Sequence, residues 1–378
     1  MVMPARIALL VFHSFFFVGY RSQLDVVDMV NVGIIGLGRM GRLHMMNCLH
    51  IDDIKIIAAA DQSKKNLHRA KSAGVKNLYS DYNDLLNDSL DLDAVIISLP
   101  NYLHFESIQL SLEDGLHIFI EKPMANTVKE CKKIVKLVER SGRHFMVGHC
   151  MRFVDAFEKM KDDAEKGYIG TLEVVTLEEV INGPFTHPAV PAPVSDWWFD
   201  PKKAGGGALI DLGYHLIDLF RFFTGGDCQV AFSCLDHKFN LPVEDGAIVI
   251  LRSSNSSAKG IINVGWYQKT IFPKLDFRVI LHGNAGYISS DDLMPHNFYF
   301  HAIKEGTKNL FRKIIGKKIH PLSYTYLYES HFKELKHFFD CIRDNSNPII
   351  SPLDGLKTVE IIKEAYGLSL DKPVNGKS

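Results

Sequence analysis

Short apolar runs alternate with helical stretches along the first third of the chain that follows Met29. The strand-like runs cover residues 30–35, 54–60, 93–99, 117–120 and 144–147. Helical patterns fill the gaps between them, at 42–49, 62–73, 104–113 and 127–141. Strands and helices that alternate at this spacing predict right-handed crossovers and a parallel sheet.

The hydrophobic pattern changes near residue 150. Extended, β-rich runs follow at 170–181, 229–236, 247–251, 260–267 and 277–282, and several are separated by turn residues alone. This spacing predicts a large, mostly antiparallel sheet with an open face, which is exposed or used for self-association. The segment 183–195 carries four prolines and is expected to be an ordered loop.

The chain of 378 residues is too long for one typical core. We therefore predict an α/β protein with two domains: a Rossmann dinucleotide-binding domain over 29–150 and an α+β domain over 151–378 for substrate binding and oligomerisation. The C-terminal helices are candidates to pack back on the first domain. The segment 303–318 holds six basic residues and one acid, and we interpret it as a solvated helical face, with a binding patch as the alternative.

Residues 1–28 do not fit the pattern of the rest. An apolar stretch over 7–18 resembles a signal-peptide core, but it is too short to span a bilayer and is interrupted by His13 and Ser14. We expect an extension that is dispensable or not native, with a targeting segment and a packed arm as alternatives.

Composition excludes several classes of function. A formal net charge of −1 gives no electrostatic field for nucleic acid or an anionic membrane. Six cysteines form no Cys-x-x-Cys pair and no Cys/His metal spacing, so the sequence predicts no metal site. We expect reduced, mostly buried thiols in a cytoplasmic protein.

The segment Gly36-Leu37-Gly38-Arg39-Met40-Gly41 is a G-x-G-x-x-G motif that follows a strand and opens a helix. Gly36 permits the tight turn, Gly38 lets a pyrophosphate approach the backbone, and Gly41 lets helix and strand pack closely. Asp61 ends the second strand, where a carboxylate accepts hydrogen bonds from ribose hydroxyls. NAD is therefore predicted as the cofactor, and the nearby Lys64 and Lys65 leave NADP open.

Polar residues also end the later strands, at the sheet edge where ligands of such folds bind. Ser98-Leu99-Pro100-Asn101 follows the third strand, and Glu121-Lys122-Pro123 follows the fourth, with Lys122 near the nicotinamide end. The predicted cofactor-binding residues are Gly36, Gly38, Arg39, Met40, Gly41, Asp61, Ser98, Pro100, Asn101, His104, Glu121 and Lys122.

A second polar set lies on a predicted helix over 208–223. Asp211 and His215 are four residues apart and project from one helical face. The glycines at 205–207 allow close backbone approach before this helix. The ordinary pKa of a histidine side chain lies near neutral pH, which suits His215 to accepting a proton. Asp211 either orients the imidazole of His215 or binds a substrate hydroxyl. Together with Lys122 they form a predicted catalytic set.

Through these motifs and the segments 338–342 and 351–355, the chain resembles members of the glucose-fructose oxidoreductase / inositol dehydrogenase / rhizopine-catabolism family. The resemblance begins at Met29 and runs to the end of the chain. Leu99 differs from the threonine that the family often has there. The resemblance implies that Lys122 positions the reacting oxygen, His215 is the general base and Asp211 supports them. It also implies homodimers or homotetramers formed through the open sheet. Residues predicted to line the substrate site are His149, Arg152, Trp198, Asp211 and His215.

The leading hypothesis is an NAD(P)-dependent dehydrogenase that acts on CH–OH groups of a cyclic polyol or sugar, inositol-like or an aldose. A nucleotide-sugar dehydrogenase or a reductase of keto or anhydro sugars is an alternative of the same family. A non-catalytic NAD- and sugar-sensing regulator is an alternative of another class. The filled positions Lys122, Asp211 and His215 favour the enzyme.

Overall fold

Two six-stranded sheets organise the chain in a computed structural model that describes residues 29–184, 195–267, 277–317, 319 and 326–369. The first sheet has the order β3-β2-β1-β4-β5-β6, and all its strand pairs are parallel. Its strands are β1 (Val30–Ile35), β2 (Ile54–Ala60), β3 (Asn77–Tyr79), β4 (Ala94–Ile97), β5 (His117–Ile120) and β6 (Phe145–Val147).

Five α-helices connect these strands: α1 (Arg39–Cys48), α2 (Lys64–Ser72), α3 (Tyr82–Asn87), α4 (His104–Glu113) and α5 (Val128–Ser141). The predicted parallel sheet is thus confirmed, although the short strand β3 was missed. Helices cover both faces of a doubly wound sheet, so its inner strands are apolar throughout. All four residues of β4 are completely buried.

The second sheet has the order β12-β11-β7-β10-β9-β8. Its strands are β7 (Leu172–Val180), β8 (Cys228–Asp236), β9 (Gly246–Ser253), β10 (Lys259–Gly265), β11 (Phe277–Gly283) and β12 (Gly286–Ser289). The prediction of a mostly antiparallel sheet is confirmed, with one parallel pair, β7 with β10, at its centre. This pair arises because helices and the β8-β9 hairpin separate the two strands along the chain.

Helices of the second half cover the inner face of this sheet or return to the first domain. They are α6 (Asp155–Glu165), α7 (Pro201–Ala204), α8 (Tyr214–Thr224), α9 (Ser290–Leu293), α10 (Phe298–Ile314), α11 (Glu329–Asp344) and α12 (Pro352–Leu368). A π-helical turn, Leu209–Gly213, runs directly into α8. Among the described helices, none is long and apolar enough to cross a membrane.

Helices α11 and α12 lie against the first domain. Arg343 of α11 pairs with Asp53 before β2, and Glu360 of α12 pairs with Lys132 of α5. Gly355 of α12 packs closely against Met124. A Cβ on Gly355 would lie only 3.1 Å from the Met124 Cβ. These contacts tie the end of the described chain to the sheet that carries the glycine motif.

Some sequence predictions fall on residues that are not described. Residues 1–28 and most of the proline-rich loop, 185–194, lie outside the described ranges. All six cysteines are described and none forms a disulfide; five are buried and Cys234 is half-buried.

Candidate active site

Lys122 and Asp211 come from different domains and meet at the carboxyl edge of the first sheet. Lys122 Nζ donates to the main-chain oxygen of Asp211 at 2.7 Å and to its carboxylate Oδ1 at 3.1 Å. Both side chains are only about one-sixth exposed, at 17% and 16%. The peptide bond Lys122–Pro123 is cis. The structure therefore brings together two of the three predicted catalytic residues.

Two further groups face this pair, and the sequence analysis did not name them. Trp266 Nε1 donates to Asp211 Oδ2 at 3.3 Å, so the carboxylate is held between an ammonium group and an indole. Glu179 lies near the end of β7. Burial raises the pKa of Glu179 to about 8, the Asp211 charge adds to the rise, and Lys122 opposes it. The available signal was an acid, Glu179, in phase with the buried positions Val175 and Leu177 of this strand.

His215 is the second residue of α8, shortly after the π-helical turn. Sequence spacing placed Asp211 and His215 on one face, as in an α-helix. In a π-helix the hydrogen bonds run from i to i+5, so the wider turn shifts Asp211 out of that register. The Asp211 carboxylate contacts Lys122 and Trp266 instead of orienting the imidazole.

The electrostatic surroundings keep His215 neutral. Burial, and next the positive charge of Lys122, lower the pKa of His215 well below its ordinary value of 6.5. Among the described residues, its ring nitrogens have no hydrogen-bond partner. A neutral imidazole with a free ring nitrogen is a proton acceptor, as a general base requires.

The glycines before the π-helical turn are required by close contacts. A Cβ on Gly206, which has φ +155°, would lie 1.9 Å from the Tyr366 hydroxyl, and one on Gly207 would lie 1.9 Å from the Glu244 main-chain oxygen. The buried Glu244 carboxylate accepts hydrogen bonds from the amides of Gly207 and Leu209. Tyr366 of α12 donates to the same carboxylate at 2.7 Å.

The glycine motif fits a dinucleotide. Gly36 has φ +88°, and a Cβ on it would lie 2.6 Å from the Ser98 main-chain oxygen. A Cβ on Gly41 would lie 1.8 Å from the Gly36 oxygen, whereas one on Gly38 would meet nothing within 4 Å. Open space at Gly38 between two crowded glycines is the cradle that a pyrophosphate needs. The helix begins at Arg39, earlier than predicted, so Arg39, Met40 and Gly41 form its first turn.

Asp61 connects the glycine loop to the end of β2. Its Oδ2 accepts from the Leu37 amide at 2.7 Å, and its Oδ1 accepts from the Ser63 amide at 2.7 Å and from Asn66 Nδ2 at 3.2 Å. A carboxylate fixed in this way still has lone pairs for ribose hydroxyls. Arg39, at the other side of the loop, donates to the Tyr328 hydroxyl at 3.0 Å.

The polar residues that follow β4 make different contacts. Asn101, which follows Pro100, donates through Nδ2 to the Ala204 oxygen at 2.9 Å. His104 is fully buried, and its ring nitrogens lie 2.8 Å from the Pro123 oxygen and 2.9 Å from the Leu99 oxygen. His104 therefore joins the loops after β4 and β5, which is a positioning role and not the direct cofactor contact that we predicted. The Ser98 hydroxyl is buried without a partner among the described residues.

Glu121 lies directly behind Lys122 and pairs with His44 of α1, whose Nε2 is 2.6 Å from Glu121 Oε1. Burial favours a raised pKa of Glu121, but the hydrogen bond and charge of His44 outweigh it and lower that pKa. Glu121 is thus an ionised, buried carboxylate that fixes the strand end before Lys122.

His149 and Arg152 belong to a buried ionic network. Arg152 forms a two-pronged contact with Asp218 of α8, at 2.8 and 2.6 Å, and a third contact with Asp354 of α12 at 3.1 Å. His149 Nδ1 lies 2.6 Å from Asp218, and its Nε2 lies 3.0 Å from the Tyr214 hydroxyl. The predicted substrate role of Arg152 is thereby corrected, because its donors hold α8 and α12 together.

Trp198 lies in a 3-10 turn, Asp196–Phe199, next to the loop after β4. Its ring lies 5.0 Å from that of Trp197, which in turn contacts Tyr102 in an edge-on arrangement at 6.5 Å. Trp198 is half-buried. Among the residues predicted to line the substrate site, it is the one with a large apolar side chain.

A second cluster lies deeper, behind Glu121. Cys150, His331 and Glu334 are all buried, with their ligand atoms within 4.8 Å of one another. His331 and Glu334 are three residues apart, whereas Cys150 lies far from them in sequence, so Cys/His spacing alone does not reveal the cluster. Burial raises the pKa values of Cys150 and Glu334.

Comparisons with known proteins identify the family of this chain. A family model described as an oxidoreductase family with an NAD-binding Rossmann fold matches residues 30–149, and a GFO/IDH/MocA C-terminal domain matches 157–289. The myo-inositol 2-dehydrogenase of Thermotoga maritima is 26% identical over 86% of this chain and 92% of its own. The 1,5-anhydro-D-fructose reductase of Ensifer adhaerens is 24% identical over 86% and 91%.

A solved structure shares the fold over nearly the whole length. The scyllo-inositol dehydrogenase of Lactobacillus casei, with bound NAD(H) and scyllo-inositol, superimposes with a TM-score of 0.72 at 20% identity. The match covers 90% of this chain and 97% of that one. The glycine cradle, the carboxylate at Asp61 and both family matches lead to one conclusion: this chain is an NAD-binding oxidoreductase of the GFO/IDH/MocA family.

Proposed function

We propose that the protein transfers hydride between a hydroxyl-bearing carbon of a cyclic polyol or sugar and the nicotinamide of NAD. The observation that supports this most directly is the contact of Lys122 with Asp211 at the carboxyl edge of the first sheet, together with the influence of the Lys122 charge on the pKa of His215. Bound NAD supplies the hydride acceptor.

In the proposed chemistry, one residue accepts the proton of the substrate and another stabilises the negative charge on its oxygen. His215 accepts the hydroxyl proton of the substrate as a general base. Lys122 donates a hydrogen bond to the reacting oxygen and stabilises the negative charge that develops there. Asp211 positions the Lys122 ammonium group, and Trp266 fixes the Asp211 carboxylate in turn. For reduction, the same groups act in the opposite direction.

Relatives with inositol dehydrogenase names favour an inositol-like polyol or an aldose as substrate. The named 1,5-anhydro-D-fructose reductase keeps reduction of a keto or anhydro sugar as the second candidate. A nucleotide sugar oxidised on its ring remains the third. All three substrates present a secondary alcohol or its ketone, which is the group that Lys122 and His215 are arranged to handle.

A steady-state screen tests the proposal. Formation of NADH is measured with inositols, aldoses and nucleotide sugars, and oxidation of NADH is measured with keto and anhydro sugars. We expect turnover with one of these groups, and we expect Lys122→Ala and His215→Ala each to lower it by at least about 10²-fold while NAD binding persists. Full turnover in both variants would refute the assigned roles.

We also propose that two or four copies associate through the outer face of the second sheet and that the protein is cytoplasmic. Phe232, Ile248 and Ile261 lie on this face and are 41%, 45% and 39% exposed. Their neighbouring strands pair as β8-β9-β10, so they form one apolar patch. Light scattering of the wild type and Ile248→Lys measures the association, and a monomeric wild type would contradict it.

A further inference from the structure

Helix α10 exposes most of its large apolar side chains. Tyr299, Phe300, Ile303, Leu310, Phe311 and Ile314 are 55%, 72%, 62%, 61%, 64% and 73% exposed. At 3.6 residues per turn they project within an arc of about 120°. No residue along this helix is buried. Such a stripe normally faces a protein core, so its exposure requires another surface.

The opposite side of α10 contacts the body of the protein through polar and aromatic groups. The less exposed residues repeat at helical spacing and are Phe298, His301, Ala302, Glu305, Asn309 and Arg312. The Phe298 and His301 rings lie 6.4 and 5.5 Å from the ring of Tyr326, just before α11. This arrangement fixes the direction of the apolar stripe, which faces away from the protein.

Positive charge surrounds the stripe. By helical spacing, Lys304 and Lys313 lie along its two edges, and Lys308, Arg312 and Lys317 add further positive charge. The only acid within α10, Glu305, is on the inward side, where it pairs with Lys308. A local excess of basic residues is notable in a chain whose net charge is −1.

We propose that α10 is a membrane-surface helix that lies in the headgroup region of an anionic lipid bilayer. Aromatic and aliphatic side chains on one face with lysines at its edges are the composition of interfacial helices. A second copy fits less well, because pairing two α10 stripes would bring two sets of lysines together without acids to neutralise them. An anionic bilayer supplies both an apolar layer and the opposite charge.

This inference does not depend on the proposed reaction, and it changes the interpretation of 303–318 as a solvated helical face. Within the described part of that segment, Ile303, Leu310, Phe311 and Ile314 are at least 61% exposed. The net charge of the whole chain, on which the expectation of no membrane partner was based, does not reflect this local pattern. A surface-lying helix needs neither a high net charge nor a spanning segment.

Co-sedimentation of the full-length protein with lipid vesicles tests the proposal. Vesicles of phosphatidylcholine alone are compared with vesicles that also contain phosphatidylglycerol. One variant, Phe300→Ser with Phe311→Ser, removes apolar surface and keeps the charge. A second, Lys304→Glu with Lys313→Glu, reverses charge and keeps the apolar surface. Lys129→Glu with Lys136→Glu on α5 is the matched control for charge on another exposed helix.

We expect the wild type and the control to bind the anionic vesicles, and both α10 variants to bind at least about tenfold more weakly, because one variant loses attraction to the anionic headgroups and the other loses apolar surface that enters the bilayer. All variants retain residues 1–28, so their losses report on α10 alone. Equal binding of the wild type and the α10 variants would overturn the proposal. So would equal binding to neutral vesicles, or a changed oligomeric state in the Phe300/Phe311 variant, which would assign the stripe to a protein contact. Unchanged melting temperatures would show that the variants are folded.

Discussion

Lys122 and Asp211 form an ion pair across the boundary between the two sheets, with Nζ 3.1 Å from Oδ1. Lys122 follows β5 of the first sheet, whereas Asp211 lies in the π-helical turn before α8. Neither domain alone contains the whole candidate site. The packing of the two domains against each other therefore sets the distance between the ammonium group and the carboxylate.

Replacing Lys122 tests the charge at the reacting oxygen. We expect Lys122→Ala to lower kcat/KM by about 10²–10³-fold, the typical cost of removing one donor that stabilises a developing oxyanion. Lys122→Arg should restore little, because a planar guanidinium does not place its charge as a compact ammonium does. Steady-state kinetics measure the effect, with a fluorescence titration of NAD as the control. A loss smaller than about fivefold would contradict the role, since one such donor is worth far more.

The same lysine should control the protonation of His215. Burial and the Lys122 charge lower the pKa of His215, so removing the charge in Lys122→Met raises that pKa towards 6.5. Nuclear magnetic resonance titration of the labelled imidazole measures the shift directly. Lys159→Met, on the exposed side of α6, is the matched control. An equal shift in both variants would show that Lys122 has no specific influence.

Glu179 should make stability depend on pH. The pKa of its carboxyl is about 8 in the folded protein, against 4.5 for an unperturbed glutamate such as that of the unfolded chain. Between these values the folded state holds a proton that the unfolded state has released, so the free energy of unfolding falls as pH rises from 4.5 to about 8. We expect Glu179→Gln to reduce this slope in chemical denaturation series. An identical slope in variant and wild type would be inconsistent with a raised pKa.

Two glycines of the cofactor loop should respond differently to alanine. Gly41→Ala would place a Cβ 1.8 Å from the Gly36 oxygen, so we expect lower stability and no measurable NAD binding. Gly38→Ala meets no protein atom within 4 Å, so its melting temperature without NAD should stay unchanged while NAD affinity falls. Calorimetric melting and NAD titration separate the two. Normal NAD affinity in Gly38→Ala would contradict the pyrophosphate cradle.

The Arg152–Asp218 contact should support stability. Asp218→Asn leaves a buried guanidinium without its main charge partner, which typically costs about 3–5 kcal/mol in the free energy of unfolding. Arg152 and His149 hold the pKa of Asp218 far below 3.8 despite its burial. This contribution is therefore present above pH 3.8 and is lost as the pH falls further. Urea denaturation of Asp218→Asn measures it, and a loss below about 1 kcal/mol would argue against it.

The regular alternation of apolar strands and helices along the chain explains why most of the fold was predictable. Helix α4 and strand β5 match their predicted ranges, His104–Glu113 and His117–Ile120, because apolar runs and turn residues delimit them clearly. The three-residue strand β3 was missed, since it is too short to show a period. The parallel pairing of β7 with β10 was also missed, because strand order within a sheet depends on packing between distant segments.

The candidate site was predictable where a residue follows a strand and less so where it lies on a helix. Lys122 and Asp61 were identified because parallel strands end at one edge. The π-helical turn has no recognisable pattern in the sequence, so the α-helical register assumed at Asp211 differs from the observed one. Trp266 reaches the site from the end of β10, and only the folded sheet reveals such a contact.

The contact of Tyr366 with Glu244 connects helix α12 to the candidate active site. Glu244 holds the amides that start the π-helical turn, and Tyr366 fixes Glu244. Substitutions in the last turns of α12 should thus appear in enzyme assays as kinetic defects, although they lie far from His215 in the sequence. A shortened protein that ends before Tyr366 would retain the NAD cradle yet lose the contact that holds the segment before His215, the proposed general base.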